Sequence, residues 1–325
     1  MKKLRFTAVI TAFILSLGCT GIASAQDYPN RPVRIIVPYP AGGSNDIAAR
    51  IVAQKLSERL GKQFLVEDRG GGGGNIGMEA VATAAPDGYT LLLSAPGPLT
   101  ANYALFKNLP VNPATAFAPI ALIGSTPIVL VANPSLPANN AVELVALAKA
   151  KPGQINYGSQ GNGSSSHLAM ELFKHMTNIN LVHVPYRGAA PAMNDLIAGV
   201  VPIVFDSMPG VISQVRAGTI KALGIGAKKR SKLLPNVLTI DESVAKGYEA
   251  LAWYGLVAPA ATPAPVLDLL SKEVAEILKL PDVAARFDKL GIEPGTVTGA
   301  AFGKFLSDET AKWTNIIEIS GIKIN

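Results

Sequence analysis

The chain of 325 residues has a single cysteine, Cys19, three histidines, and a short, predominantly apolar stretch near its start, Phe6–Leu17. Each scarcity removes a class of function. Lys2, Lys3 and Arg5 precede the apolar stretch and Ala23-Ser24-Ala25 follows it. Basic, apolar, then small-x-small is the pattern of a cleavable secretory signal, and the stretch is short for a membrane span. Cleavage after Ala25 is expected, making residues 1–25 a signal peptide. A lipid-bearing Cys19 as the new N-terminus is the alternative, although Ser16 stands where such sites usually carry a large apolar residue. Once the signal leaves, no cysteine remains for a disulfide, a thiolate nucleophile or a metal site. His167, His175 and His183 form neither H-x-x-x-H nor HExxH, and no carboxylate-rich loop accompanies them, so neither metal nor cofactor is expected. The G-x-S-x-G elbow of many serine hydrolases is also absent. Removal of the signal's three cations lowers the formal charge from +6 to +3, and no basic cluster with interleaved aromatics appears. Nucleic acid is therefore not an expected partner. Lys228-Lys229-Arg230 reads as the solvated start of a helix.

What the chain does have is a repeated device. Val33–Val37 is a β-branched run expected as a buried strand, which Pro38 and Pro40 end because proline donates nothing to a ladder. Gly42 and Gly43 free a tight turn, and Ser44 and Asn45 are good N-caps for a helix over Asp46–Leu60. Such a junction leaves backbone N–H groups unpaired at the positive end of a helix dipole, a ready anion site. Ile155–His167, INYGSQGNGSSSH, repeats it: a strand, a glycine turn over Gly158–Gly163, then a helix opened by Ser164–Ser166 and running to about Met176. The two junctions are expected to face each other across a cleft.

Strand and helix signals alternate almost throughout, which argues α/β with largely parallel sheets. After loss of the signal, the chain exceeds what one hydrophobic core usually serves, so two lobes are expected. Extended segments near Ile128–Ala132 and Ala252–Val257 bracket the middle third. They predict a discontinuous first lobe, 26–128 with 252–325, and a second lobe, 129–251, inserted between its halves.

Other motifs carry less. Arg69–Gly77, RGGGGGNIG, satisfies a dinucleotide pattern, but the acidic residue expected near Ser94 is missing, and a flexible or tightly turned loop near the cleft rim fits better. Ser164, Ser165, Ser166 and His167 raise a secreted serine hydrolase using Ser164 or Ser165. Neighbours at a helix start, however, do not point at each other as nucleophile and base must. Arg187 and Asp206 follow predicted strands, where loops face the ligand crevice of open α/β sheets. Arg187 can pair with a carboxylate. Asp206 would repel an anion unless it meets a cation or an amino group.

The motifs YPNRPVRIIVPYPAGGSND, GGGGNIG, PDGYTLL, NYGSQGNGSSSHLAMELF, VHVPYRG and FDSMPG, in this order, resemble the Bug-type receptors. These are the periplasmic solute-binding components of tripartite tricarboxylate transporters. The resemblance runs from about Tyr28 to the C-terminal helix. It implies a two-lobe periplasmic binding protein of the type II, Venus-flytrap class, with a mixed, mostly parallel sheet in each lobe. It further implies a monomeric, non-enzymatic periplasmic receptor that closes on a small carboxylate and delivers it to membrane permease subunits. In that family backbone amides and ordered waters from two loops hold one carboxylate. The matching positions give Tyr39, Pro40, Ala41, Gly42, Gly43, Ser44 and Asp46 from the first loop. The second loop gives Ser159, Gly161, Gly163, Ser164 and Ser165; beside these, the residues themselves make His167 a candidate at the cleft wall, and Arg187 and Asp206 candidates on the far wall. Tyr39 departs from a more usual phenylalanine, and its hydroxyl is an extra candidate for a ligand or water contact. A sensor receptor that signals carboxylate availability without transport fits the same sequence.

Overall fold

The computed structural model describes residues 28–322, so the expected signal peptide, its cleavage site and Cys19 lie outside the described residues. Among the described residues, ten strands form one continuous, curled sheet in the order β2-β1-β3-β9-β4-β7-β5-β6, with β8 and β10 also paired to β4. The strands are β1 (Val33–Val37), β2 (Phe64–Asp68), β3 (Thr90–Ser94), β4 (Phe117–Ala132) and β5 (Asn156–Ser159), followed by β6 (Val182–Pro185), β7 (Ile203–Ser207), β8 (Lys221–Ile225), β9 (Leu251–Pro259) and β10 (Glu293–Pro294). Parallel ladders join β1 to β2 and β3, and β5 to β6 and β7. The antiparallel ladders involve β4 or β9.

β4 ties the two lobes together. Phe117–Pro127 pairs with β9, whereas Ile128–Ala132 pairs with β7 and Val129–Ala132 also with β8. Helices cover both faces of each half. They are α1 (Ser44–Leu60), α2 (Asn75–Ala82), α3 (Ala141–Ala150), α4 (Ser165–Thr177) and α5 (Ala189–Ile197), then α6 (Met208–Arg216), α7 (Ala264–Leu278), α8 (Pro281–Leu290) and α9 (Gly299–Ser320). Successive strand residues point to opposite faces, so neighbouring apolar residues of one strand feed two cores. Ile35 joins Ala49 of α1 and Leu270 of α7, while Ile36 joins Met78 of α2 and Phe302 of α9. In the other half Leu130 packs with Phe173 of α4, and Val129 with Val211 of α6.

The last helix serves both halves. Phe302 belongs to the first lobe's core, while Trp313, Ile316 and Ile317 pack into the second's. Glu309 of this helix accepts hydrogen bonds from Trp253 Nε1 (2.8 Å) and Trp313 Nε1 (3.1 Å).

Two local expectations are corrected. The α1 helix begins at Ser44, with Gly43 as its N-cap, rather than at Asp46. The Asp46 carboxylate folds back to accept from the Gly42 amide at 2.8 Å, so the turn is held from inside the helix and neither Ser44 nor Asn45 caps it. Lys228-Lys229-Arg230 opens no helix. It lies in a turn, where Lys228 pairs with Asp241 and Arg230 with Glu242.

Candidate functional site

The first junction forms as its residue types dictate. Gly42 takes φ of +82°, a left-handed conformation open to glycine at little cost, while Gly43 is extended with φ of −76°. The turn therefore needs only one of its glycines. Ala41 and Gly42 are exposed at the tip, and the exposed Pro40 lies against both Gly70 and Gly188. Asp46 is buried and also pairs with Arg50 Nε at 2.6 Å, so its charge is engaged within the lobe. Released from capping, Ser44 faces the cleft cavity, and the buried Asn45 Oδ1 has no hydrogen-bond partner. The Tyr39 ring packs on the core. Its hydroxyl is also buried without a partner, and desolvation pushes the phenol well above its ordinary pKa.

The second junction keeps its cap. Ser164 Oγ accepts from the His167 amide at 3.3 Å and donates to the Gly161 carbonyl at 2.7 Å. Behind the loop lies a column of three rings: Tyr157 stacks on His183 at 4.8 Å, and His183 on His167 at 4.3 Å. Both imidazoles hold the loop. His167 Nδ1 accepts from the Gly163 amide at 3.2 Å, and His183 Nε2 lies 2.6 Å from Ser159 Oγ, which accepts from the Gly161 amide at 3.1 Å. Burial is the main reason that His167 is lowered to about 4 and His183 to about 3, with added repulsion from Lys174 at both and from His167 at His183. Ser159 and His167 are thus loop supports set back from the cleft.

The junctions meet. Ser44 and Asn45 from α1, Gln160, Ser165 and Ser166 from the second loop, Ser207, and the crossing-strand residues Ile128 and Ala252 line one cavity of about 10 Å³. Ser207 is the N-cap of α6, so a third helix start, read in the sequence only as the far wall, joins the other two. Asp206 lies beneath it, 2 % exposed, with Oδ1 accepting from the Ser207 amide (2.6 Å) and from Gln160 Nε2 (2.5 Å). It thereby fixes Gln160 at the cavity wall. Arg187 is exposed, with no hydrogen bond or ion pair to the other described residues, and does not line this cavity. A larger groove of about 520 Å³ borders the crossing strands elsewhere. Its walls carry Lys228–Lys232 but none of the three helix starts, so the smaller cavity is the candidate site.

Burial raises Asp206 from 3.8 to about 6 despite these hydrogen bonds. An acid raised in the folded state gives stability that is complete below the unfolded value and is lost as pH rises through the folded one. Asp206→Asn should therefore stabilise the protein by about 2–3 kcal/mol at pH 8 and by almost nothing at pH 4. Urea unfolding at the two pH values checks this, and an equal gain at both would exclude ionisation as the cause.

Across the cleft the lobes touch through glycines. A Cβ on Gly97 would lie 2.3 Å from the Gly163 carbonyl oxygen, and one on Gly73 2.4 Å from that of Asn162. Asn102 sits beside these contacts, its amide donating to Gly73 O (3.0 Å) and Asn75 Oδ1 (2.6 Å).

The family model described as the tripartite tricarboxylate transporter family receptor, TctC, matches residues 48–322. The chain belongs to this family. Protein BugT of Bordetella pertussis is 36 % identical over 325 residues, covering 100 % of both chains. Among solved structures, R. palustris Rpa4515 with adipate is similar at a TM-score of 0.88 and 34 % identity, covering 91 % of this chain and 99 % of that one. MatC from Rhodopseudomonas palustris with bound malate is similar at a TM-score of 0.85 and 30 % identity, covering 89 % and 100 %.

As a TctC-family receptor the protein is a solute-binding receptor and not an enzyme, and its geometry explains why the motif alternatives fail. Ser164 Oγ donates to a carbonyl, and His167 Nδ1 is occupied by a backbone amide, so His167 does not serve Ser164 as a base. The Ser159–His183 pair has the right distance, but Ser159 is 0 % exposed. In the receptor's glycine run, Gly73 abuts Asn162 of the opposite lobe, which leaves a nucleotide no room.

Proposed function

We propose that this receptor works in the periplasm, after removal of residues 1–25, as a monomer that captures a small di- or tricarboxylate between its lobes. It then delivers the ligand to the membrane permease of a tripartite transporter. The observation that carries the reading is the convergence of the N-termini of α1, α4 and α6 on one serine-lined cavity between the lobes. The first amides of a helix lack partners within it and favour an anion. Relatives with adipate or malate bound support a carboxylate. Ser44, Ser165 and the backbone of Gly43 and Ser164 are assigned to the ligand, with Tyr39, Gly161, Gly163 and His167 shaping the loops and Arg187 at the rim.

The proposed hinge lies at 128/129, one residue past the change of partner on β4, and at 251/252, at the start of β9. This divides the protein into 26–128 with 252–325, and 129–251, with α9 packed across both. A cavity of about 10 Å³ is far below the ~300–1,000 Å³ of usual ligand sites, so the conformation described is closed and the hinge must open to admit a ligand. Contacts made only on closure shift that equilibrium.

A thermal-shift panel on protein refolded free of carried-over ligand tests the reading. A bound carboxylate at ~100 times its Kd should stabilise by about 2.7 kcal/mol, raising Tm by about 5–10 °C. No shift with any mono-, di- or tricarboxylate would overturn it.

A further inference from the structure

Tyr254 lies on β9, one of the two crossing strands, and was not among the residues singled out by motif. Its ring packs in the first lobe's core beside Ala48 and Ala49 of α1, and the side chain is 0 % exposed. Its hydroxyl lies within reach of the Ser44 and Ser207 side chains, at the first residue of α1 and the N-cap of α6, with Asp206 near, yet among the described residues it makes no hydrogen bond of good geometry. A buried hydroxyl without a partner is destabilising, and phenylalanine would fill the same core space without that penalty. Both serines named line the cavity between the lobes, as does Ala252 on the same strand. The unpartnered hydroxyl therefore stands where two helix N-termini from opposite lobes converge.

We infer that Tyr254 is a ligand-contact residue, whose hydroxyl donates to the carboxylate held at the starts of α1 and α6. The inference rests on the carboxylate reading above. A donor at this place differs in kind from the loop amides. It is carried by a crossing strand and packed against α1, so it stays with the first lobe when the hinge opens. Tyr254 and the α1 start then form the half-site that meets the ligand in the open state, and the second loop and α6 complete it on closure. An oxygen anion satisfies the hydroxyl, whereas an apolar ligand end leaves it unpaired. The deep end of the site accordingly selects an acid group.

The test is titration calorimetry of wild type and Tyr254→Phe with succinate, L-malate and adipate, together with the Tm of each unliganded protein. For a carboxylate that binds wild type, Tyr254→Phe should weaken binding by about 10-fold or more, the loss expected for a hydrogen bond to a charged group. The unliganded Tm should stay level or rise. Equal affinity in the two proteins would overturn the role of Tyr254 while leaving the carboxylate reading intact. Weaker binding with a Tm lowered by several degrees would assign Tyr254 to the scaffold and overturn the inference. If none of the three acids, nor any acid in the wider panel, binds wild type, the inference and the reading on which it rests fall together.

Discussion

Gly97→Ala should give a protein whose lobes fold but no longer close. Gly97 opens the short helical segment Gly97–Ala101 after β3 and is buried against the opposite lobe. The added methyl carbon would lie 2.3 Å from the Gly163 carbonyl oxygen and 3.2 Å from its carbon. Both are backbone atoms of a loop pinned through His167 and Ser164, so they cannot swing aside as a flexible side chain would. The cheapest relief is to part the lobes by about 1 Å, since overpacking a fitted contact costs about 1–3 kcal/mol. The open state lacks the contact with Gly163 and escapes that cost, so this part of the penalty falls on the closure that follows binding. Affinity should fall about 5- to 150-fold, with small-angle scattering showing the open dimensions retained at saturating carboxylate for wild type. Pro98 disfavours a helical backbone for a non-glycine neighbour, so the unliganded Tm records the local cost separately. Unchanged affinity would mean that the Gly97–Gly163 contact has no part in the bound state.

This contact marks the boundary of what the residues alone reveal. The strands Val33–Val37 and Thr90–Ser94 are legible to the residue because their apolar runs are buried on both faces. The second junction is legible too, since Ser164 both looks like a cap and acts as one. The first misleads at the level of the cap. Three consecutive polar residues compete for one turn, and the winner is Asp46, whose longer reach from inside the helix meets Gly42 and whose charge meets Arg50. The long crossing strand was hidden for another reason. Pro119 and Gly124 are breakers by residue type, but the register shifts at Pro119/Ala121 and Leu122/Gly124 absorb them, and Pro127 falls where the strand leaves one ladder for the next. Tyr254 was hidden because its ring obeys the core pattern and only its hydroxyl does not. No sequence period reports an unpaired oxygen. Gly97 and Gly163 are silent for a similar reason, because the atoms that would lie nearest a side chain at each belong to the other lobe.

Acidification from pH 7.5 to 5 should lower stability, and the stacked imidazoles should account for most of the loss. His167 and His183 titrate near 4 and near 3 in the folded protein, against about 6.5 in the unfolded chain. The folded pKa values are depressed for groups that gain charge on protonation, so the unfolded state takes up protons that the folded state refuses. No cost exists at neutral pH. It begins as pH falls through about 6.5 and grows until the folded values are reached. At pH 5 the pair should remove about 3 kcal/mol, less than two fully buried imidazoles would because His183 is only partly buried. Asp206 has the opposite sign over part of this window and offsets about 1 kcal/mol. The net effect is a Tm lowered by about 4–8 °C. His183→Phe retains an aromatic between Tyr157 and His167 while removing one titrating group, and should roughly halve that drop. Differential scanning calorimetry at the two pH values decides it, and an unchanged drop would acquit the pair. Affinity should hold over this window and fall only as pH approaches about 4, because the neutral Nδ1 of folded His167 is the acceptor that holds the Gly163 amide. Protonation turns that acceptor into a donor facing a donor, and the loop bearing Ser164 and Ser165 then loses the shape on which closure depends.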